Sequence, residues 1–267
     1  MALDKQMTVD QVVKQIKNGD TIVIGGWGMI RKPMTIVRAI AKSKLKDLTL
    51  IALGGGMDVD ILVATGQAKK VISGFIAFEG GAGRAVAYDN ARQNGTIEFM
   101  EISEYLLISG LKAAAERLPF LPTRSGLGTD ILTLNPQIET IKAPYTGEKL
   151  VAMPALKADV ALIHTNAASA EGNATIKGDR LWDHIMIRAA EKVFVSAEKV
   201  VSKAELRQDI ANIKVHTPWV TGIVETPNGA RPGTMFPEYL DPGVRTINAY
   251  MQAALDPKAL QEYLAKY

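Results

Sequence analysis

The densest grouping of residues able to meet a ligand is Gly25-Gly26-Trp27-Gly28, directly after the apolar run Ile22-Val23-Ile24 and just ahead of Arg31, Lys32 and Pro33. Glycines at the carboxyl end of a buried strand let main-chain amides approach a ligand closely, and Pro33 suits the first turn of a following helix. Amides converging there would form a pocket for an anion, or for an oxygen that gains negative charge, with Arg31 and Lys32 adding positive charge beside it. In open α/β sheets ligands sit beyond the carboxyl ends of strands, where this turn falls. The spacing is not Gly-x-Gly-x-x-Gly, so it is no dinucleotide fingerprint, and a Gly-Gly pair after a strand also serves as a plain tight turn.

The carboxylates come next. Glu104 follows Ser103 at the start of the helical stretch that carries Tyr105 to Arg117. A carboxylate so placed can take a proton from water, and an acidic residue in a first helical turn equally complements the helix dipole. Glu101, just before it, and Glu79, beside Gly80-Gly81 and Gly83, are rivals that also read as solvated loop charge. Arg124 can meet a carboxylate or phosphate bidentately, or pair with a surface acid. Asn173, in Glu171-Gly172-Asn173-Ala174, can hydrogen-bond an amide or ester oxygen, although Gly-Asn is also a routine turn pair. His164 and Asn166 end another apolar run, where His164 reads first as a structural histidine, and Trp182 and Trp219 fit a core or a subunit contact.

These residues need a scaffold. Short β-branched runs at 21–24, 48–53, 71–77, 97–100, 150–153, 160–164, 193–196 and 220–224 read as strands, and periodic apolar stretches at 34–41 and 106–118 read as helices. The alternation predicts an α/β fold, a mostly parallel sheet flanked by helices on both faces, in a single domain over residues 1–267. Residues 118–130, with Pro119, Pro122, Gly126 and Gly128, are expected to be irregular: a binding loop or an interface arm.

Composition narrows the function classes. Hydrophobic residues make up 47% and charged residues 22% of the 267, ordinary for a compact globular chain. A net charge of +3 spread along the chain is too weak to argue for nucleic acid. With no cysteine there is no disulfide, thiolate metal site or Cys nucleophile, which fits a reducing, cytoplasmic setting. His164, His184 and His216 lack the His-x-x-x-His spacing of a metal helix, and no run approaches the roughly 18 apolar residues of a membrane span.

Asn18-Gly19, Ile22-Val23-Ile24, Gly25-Gly26 and Pro33 resemble the first signature of family I CoA-transferases. The resemblance runs over roughly residues 8 to 230, through Ala113-Ala114-Ala115, Leu118-Pro119-Phe120-Leu121-Pro122-Thr123-Arg124, Gly128-Thr129-Asp130, Ala152-Met153-Pro154-Ala155-Leu156 and Glu171-Gly172-Asn173-Ala174. Trp27 departs from the usual Phe, and Arg31 replaces the Gly of many members. The Arg31-Lys32-Pro33 form is similar to the glutaconate-type α chain. The Trp27 form and Glu104 are closer to the α chain of the steroid ring-opening acyl-CoA hydrolase, where the matching acidic residue is tied to catalysis.

The resemblance implies the CoA-transferase fold and an α-type chain that works with a β-type partner, as a heterodimer or α2β2. It implies an acyl-CoA thioester as substrate, with no permanently bound cofactor. Gly25, Gly26, Trp27 and Gly28 would face the thioester oxygen across a seam shared with the partner; Arg31, Lys32, Arg124 and Asn173 would bind substrate, and Glu104 would be catalytic. Three activities are compatible: CoA transfer to a free carboxylate with the nucleophilic glutamate on the partner, hydrolytic opening of a cyclic ketone acyl-CoA, or a silent CoA-binding and assembly role.

Overall fold

A computed structural model describes residues 3–78 and 83–266, so Glu79, Gly80 and Gly81 lie outside the described residues. The strands are β1 (Thr21–Ile24), β2 (Leu48–Gly55), β3 (Ala68–Phe78), β4 (Gly83–Arg84), β5 (Glu98–Glu101), β6 (Phe120–Thr123), β7 (Glu139–Lys142), β8 (Lys149–Pro154), β9 (Ala158–Ser169), β10 (Ala174–Thr175), β11 (Ala190–Val201), β12 (Ile213–Val215) and β13 (Gly222–Glu225). The helices are α1 (Val9–Lys14), α2 (Met34–Ala41), α3 (Met57–Ala64), α4 (Val86–Gln93), α5 (Glu104–Ala115), α6 (Ile131–Leu134), α7 (Asp183–Ala189), α8 (Lys203–Arg207), α9 (Val244–Ala253) and α10 (Pro257–Lys266).

Parallel pairing joins β13, β11, β9, β1, β2, β3 and β5 in that order, the predicted architecture. Two antiparallel additions extend it: β10 and then β12 beyond the carboxyl half of β9, and β4 on β3. Alternate side chains of a strand leave opposite faces of a sheet, and here both faces are covered. Ile22 and Ile24, Leu48 and Leu50, Val160 and Leu162 pack in one apolar cluster with α2, α3 and α9. Val23, Ile51, Leu53, Ala161 and Ile163 pack in the other with Leu106, Leu107 and Leu111 of α5 and Ile185 and Met186 of α7. Double burial is why these strands read as continuous apolar runs.

Two expectations are corrected. Residues 120–123 are not irregular: they form β6, in a small antiparallel sheet ordered β6-β8-β7. Pro122 is tolerated because β6 is an edge strand, where a residue lacking N–H removes no ladder bond. The run at 150–153 therefore belongs to this second sheet, whose Val151 and Met153 cover the α5 side of the main sheet.

Candidate active site

The turn after β1 is shaped by what surrounds it. Gly26 has φ +72°, and a Cβ there would stand 2.2 Å from the Ile30 carbonyl oxygen, so only glycine fits. All four amides of the turn are committed internally. Gly25 donates to the Leu162 carbonyl at 2.9 Å, Trp27 to Ile30 at 3.1 Å and Gly28 to Gly54 at 2.9 Å. Gly26 donates to Asp183 Oδ1 at 2.9 Å. The expectation that these amides face a ligand oxygen is thus corrected: buried N–H groups need partners, and the fold supplies them from β2, β9 and α7.

Arg31 and Lys32 are corrected for the same kind of reason. Arg31 Nη1 lies 2.6 Å from Asp183 Oδ2, its Nη2 donates to the Asp179 carbonyl at 3.2 Å, and the side chain is 2% exposed. Lys32 Nζ sits 3.0 Å from Asp58 Oδ2, also out of solvent. A buried charge persists only when compensated. In this structure each cation lies beside a buried acid rather than facing solvent.

Trp27, by contrast, is turned to Glu104. Its indole Nε1 donates to Glu104 Oε1 at 2.6 Å. Glu104 opens α5, whose N-cap Ser103 accepts from the Leu106 amide at 3.2 Å. The Ser103 hydroxyl also meets Ser125 Oγ at 2.9 Å, which ties the loop after β6 to the start of α5. Phe75 packs its ring against the indole, with centroids 5.3 Å apart at 71°. Gly54 and Gly74 leave room: a Cβ on Gly54 would be 3.1 Å from Trp27 Nε1, and one on Gly74 would be 2.7 Å from Glu104 Cγ. Glu104 is partly exposed, and its Oε2 has no hydrogen-bond partner among the described residues.

The structure thus brings together Trp27 and Glu104 of the predicted set, just after β1 and β5 and against Gly54 of β2 and Gly74 of β3. It leaves others elsewhere. Asn173 lies in the turn between β9 and β10, where its carboxamide oxygen accepts from the Thr217 amide at 3.1 Å. Arg124 is exposed and grips Glu148 bidentately at 2.6 and 2.8 Å. Glu101 pairs with Arg92 at 2.5 Å. His164 is buried between Ser196 Oγ and Glu198 Oε1, each at 2.8 Å, and Glu198 in turn accepts from Tyr239 and the Asn228 and Gly229 amides. Burial alone would raise the Glu198 pKa, but these donors hold it below its ordinary value. This cluster anchors the segment that follows β13, whose Thr234 braces Met29 and Arg31.

Sequence reasoning missed Phe75, Gly54, Gly74 and Ser125. Two signals were available: the Gly54-Gly55-Gly56 run closing β2, and a glycine inside the strand pattern of β3, which marks a close approach.

Residues 6–223 match the family model described as coenzyme A transferase. The chain is 38% identical to the cholesterol ring-cleaving hydrolase IpdA subunit of Rhodococcus jostii strain RHA1, over 99% of this chain and 92% of that one. It is 30% identical to the first of the two chains of glutaconate CoA-transferase from Acidaminococcus fermentans, over 89% and 79%. The crystal structure of that transferase superposes with a TM-score of 0.90 at 26% identity, covering 98% of this chain and 88% of the other. The decarboxylase AibA/AibB superposes equally, at 0.90 and 26%, over 100% and 98%. With a geometry of parallel strands ending at a glycine turn and a carboxylate, and with the match extending over most of its length, this chain belongs to the coenzyme A transferase family, as the α-type component of an enzyme.

Proposed function

We propose that the protein, assembled with a β-type partner in the cytoplasm, opens a cyclic ketone acyl-CoA by hydrolysis, with Glu104 as the general base. The carrying observation is the carboxylate itself: one oxygen is fixed by the Trp27 indole, and the other has no hydrogen-bond partner among the described residues. The identity to the ring-cleaving hydrolase chain supports the same reading.

The step balances as follows. Glu104 Oε2 takes a proton from water as the oxygen adds to a ring carbonyl β to the thioester. The bond between that carbonyl carbon and the α-carbon then breaks, and its electron pair moves into the thioester as an enolate. The proton held on Glu104 goes to the α-carbon, leaving a carboxylic acid and a ring-opened acyl-CoA. Coenzyme A enters as part of the substrate, and no permanently bound cofactor is required. The amides of Gly25, Gly26, Trp27 and Gly28 are already bonded within the fold, so they are not the donors assigned to the enolate oxygen.

In the reconstituted pair, Glu104→Gln lowers single-turnover hydrolysis of a cyclic β-keto acyl-CoA by at least about 10²-fold, the usual minimum for a general base. Undiminished turnover would remove Glu104 from the chemistry. CoA transfer is the second reading, favoured by the likeness to glutaconate CoA-transferase. It requires a glutamyl thioester, which borohydride traps during incubation with acyl-CoA.

A further inference from the structure

We infer that Trp27 is the positioning residue of this site: its indole N–H binds one oxygen of Glu104 and so determines which oxygen does the chemistry and where it points. The inference rests on the reading of Glu104 as base.

A glutamate side chain in the first turn of a helix has several rotamers open to it, and a carboxylate has two equivalent oxygens, so neither its direction nor its reacting atom is fixed by the backbone alone. Here the geometry removes both freedoms. The 2.6 Å bond from Nε1 is the short, charge-assisted kind and occupies Oε1. Oε2 is then the atom available to water.

The indole is itself held from several directions. Phe75 meets it edge-to-face and fixes the ring plane. The Trp27 backbone is clamped by reciprocal bonds with Ile30, at 3.1 and 2.8 Å, while the neighbouring Gly26 and Gly28 amides are tied to Asp183 and Gly54. Gly54 and Gly74 lie against the indole nitrogen and the Glu104 methylene, so β2 and β3 have no side chain where the pair must meet. A phenylalanine would keep the ring contact and the packing but could not donate. The N–H is therefore what tryptophan adds at this position.

The test replaces Trp27 with β-(3-benzothienyl)alanine, which has the size of tryptophan with sulfur in place of N–H, and with phenylalanine as Trp27→Phe. Both are measured in the assembled enzyme on a cyclic β-keto acyl-CoA. The expected result is a fall in kcat of about 10- to 100-fold, the range for a hydrogen bond to a charged group, with KM within about twofold and assembly unchanged. In a Glu104→Gln background the benzothienyl replacement should cost nothing further, because its only route to the rate is through the carboxylate. Wild-type kcat in the benzothienyl enzyme overturns the inference, as does an equal additional loss in the Glu104→Gln background. A fully active Glu104→Gln enzyme overturns the base reading instead, which keeps the two failures distinct.

Discussion

If Arg31 were a substrate ligand, removing its charge would weaken binding and leave folding alone; its place in the structure demands the reverse. The guanidinium and Asp183 are 2% and 1% exposed and 2.6 Å apart, and the same carboxylate accepts from Gly26. Arg31→Met strands Asp183 as a buried charge, which costs about 3–5 kcal/mol. For a chain of this size that lowers the unfolding midpoint by roughly 10 °C. Arg31→Met with Asp183→Asn should recover a large part of the loss, because the amide oxygen still accepts from Gly26 and no unpaired charge remains. The assay is thermal unfolding of the assembled enzyme, together with KM for acyl-CoA on whatever folds. An Arg31→Met enzyme with an unchanged midpoint and a KM raised about tenfold or more would refute the structural assignment.

Two further outcomes follow from close contacts. Gly74→Ala brings a methyl to 2.7 Å from Glu104 Cγ and to 3.2 and 3.3 Å from the Glu104 amide nitrogen and the Leu53 carbonyl oxygen, so the seat of Glu104 must shift: kcat should fall about tenfold to 100-fold, and the melting midpoint by roughly 2–4 °C. Full activity would show that the exact seat of Glu104 is immaterial. Asp60 is buried against the Tyr88 amide and the Tyr250 hydroxyl, and burial pushes its pKa from 3.8 to about 6. Between those values the folded chain holds a proton that the unfolded chain has lost, so this carboxyl's contribution to stability declines as pH rises through the window, by about 3 kcal/mol. Urea midpoints at pH 4.5 and 7 should therefore show a smaller rise with pH for wild type than for Asp60→Asn, and identical slopes would contradict it.

Much of the scaffold was legible because double burial writes itself into sequence. β1 at 21–24 and α2 at 34–41 end where the apolar patterns end. β9 runs further than its apolar core because Thr165 and Asn166 continue it as buried polar residues, bonded to the Ser196 carbonyl and the Lys177 amide, and β11 follows it in register to Val201. The second sheet was hidden, since an apolar run announces a strand but not which sheet receives it. At the site, Ser103 before Glu104 advertised the capped helix start that the structure shows. Arg31 and Lys32 were misread because charge near a glycine turn looks the same whether it faces solvent or an acid. The acid that decides for Arg31 is 152 positions away.

That misreading changes how the glycine turn works. A loop whose amides bind an anion must leave them unpaired until the ligand arrives; this one commits each of them to β2, β9, α7 or its own far side. With the amides so bonded the turn is held from within, and the donor it keeps for a side-chain partner is the Trp27 indole N–H, bonded to Glu104. Asp183 holds Gly26, Arg31 neutralises Asp183, and the segment anchored by His164, Glu198 and Tyr239 braces Met29 and Arg31 from behind. Each contact limits how far the indole nitrogen can drift from Glu104. With Glu104 as the proposed base, the glycines of the motif and Arg31 act at one remove, through the aim of a single N–H. A substitution anywhere along this chain of contacts should lower kcat in proportion to the freedom it returns to Glu104, whether or not it comes near the substrate.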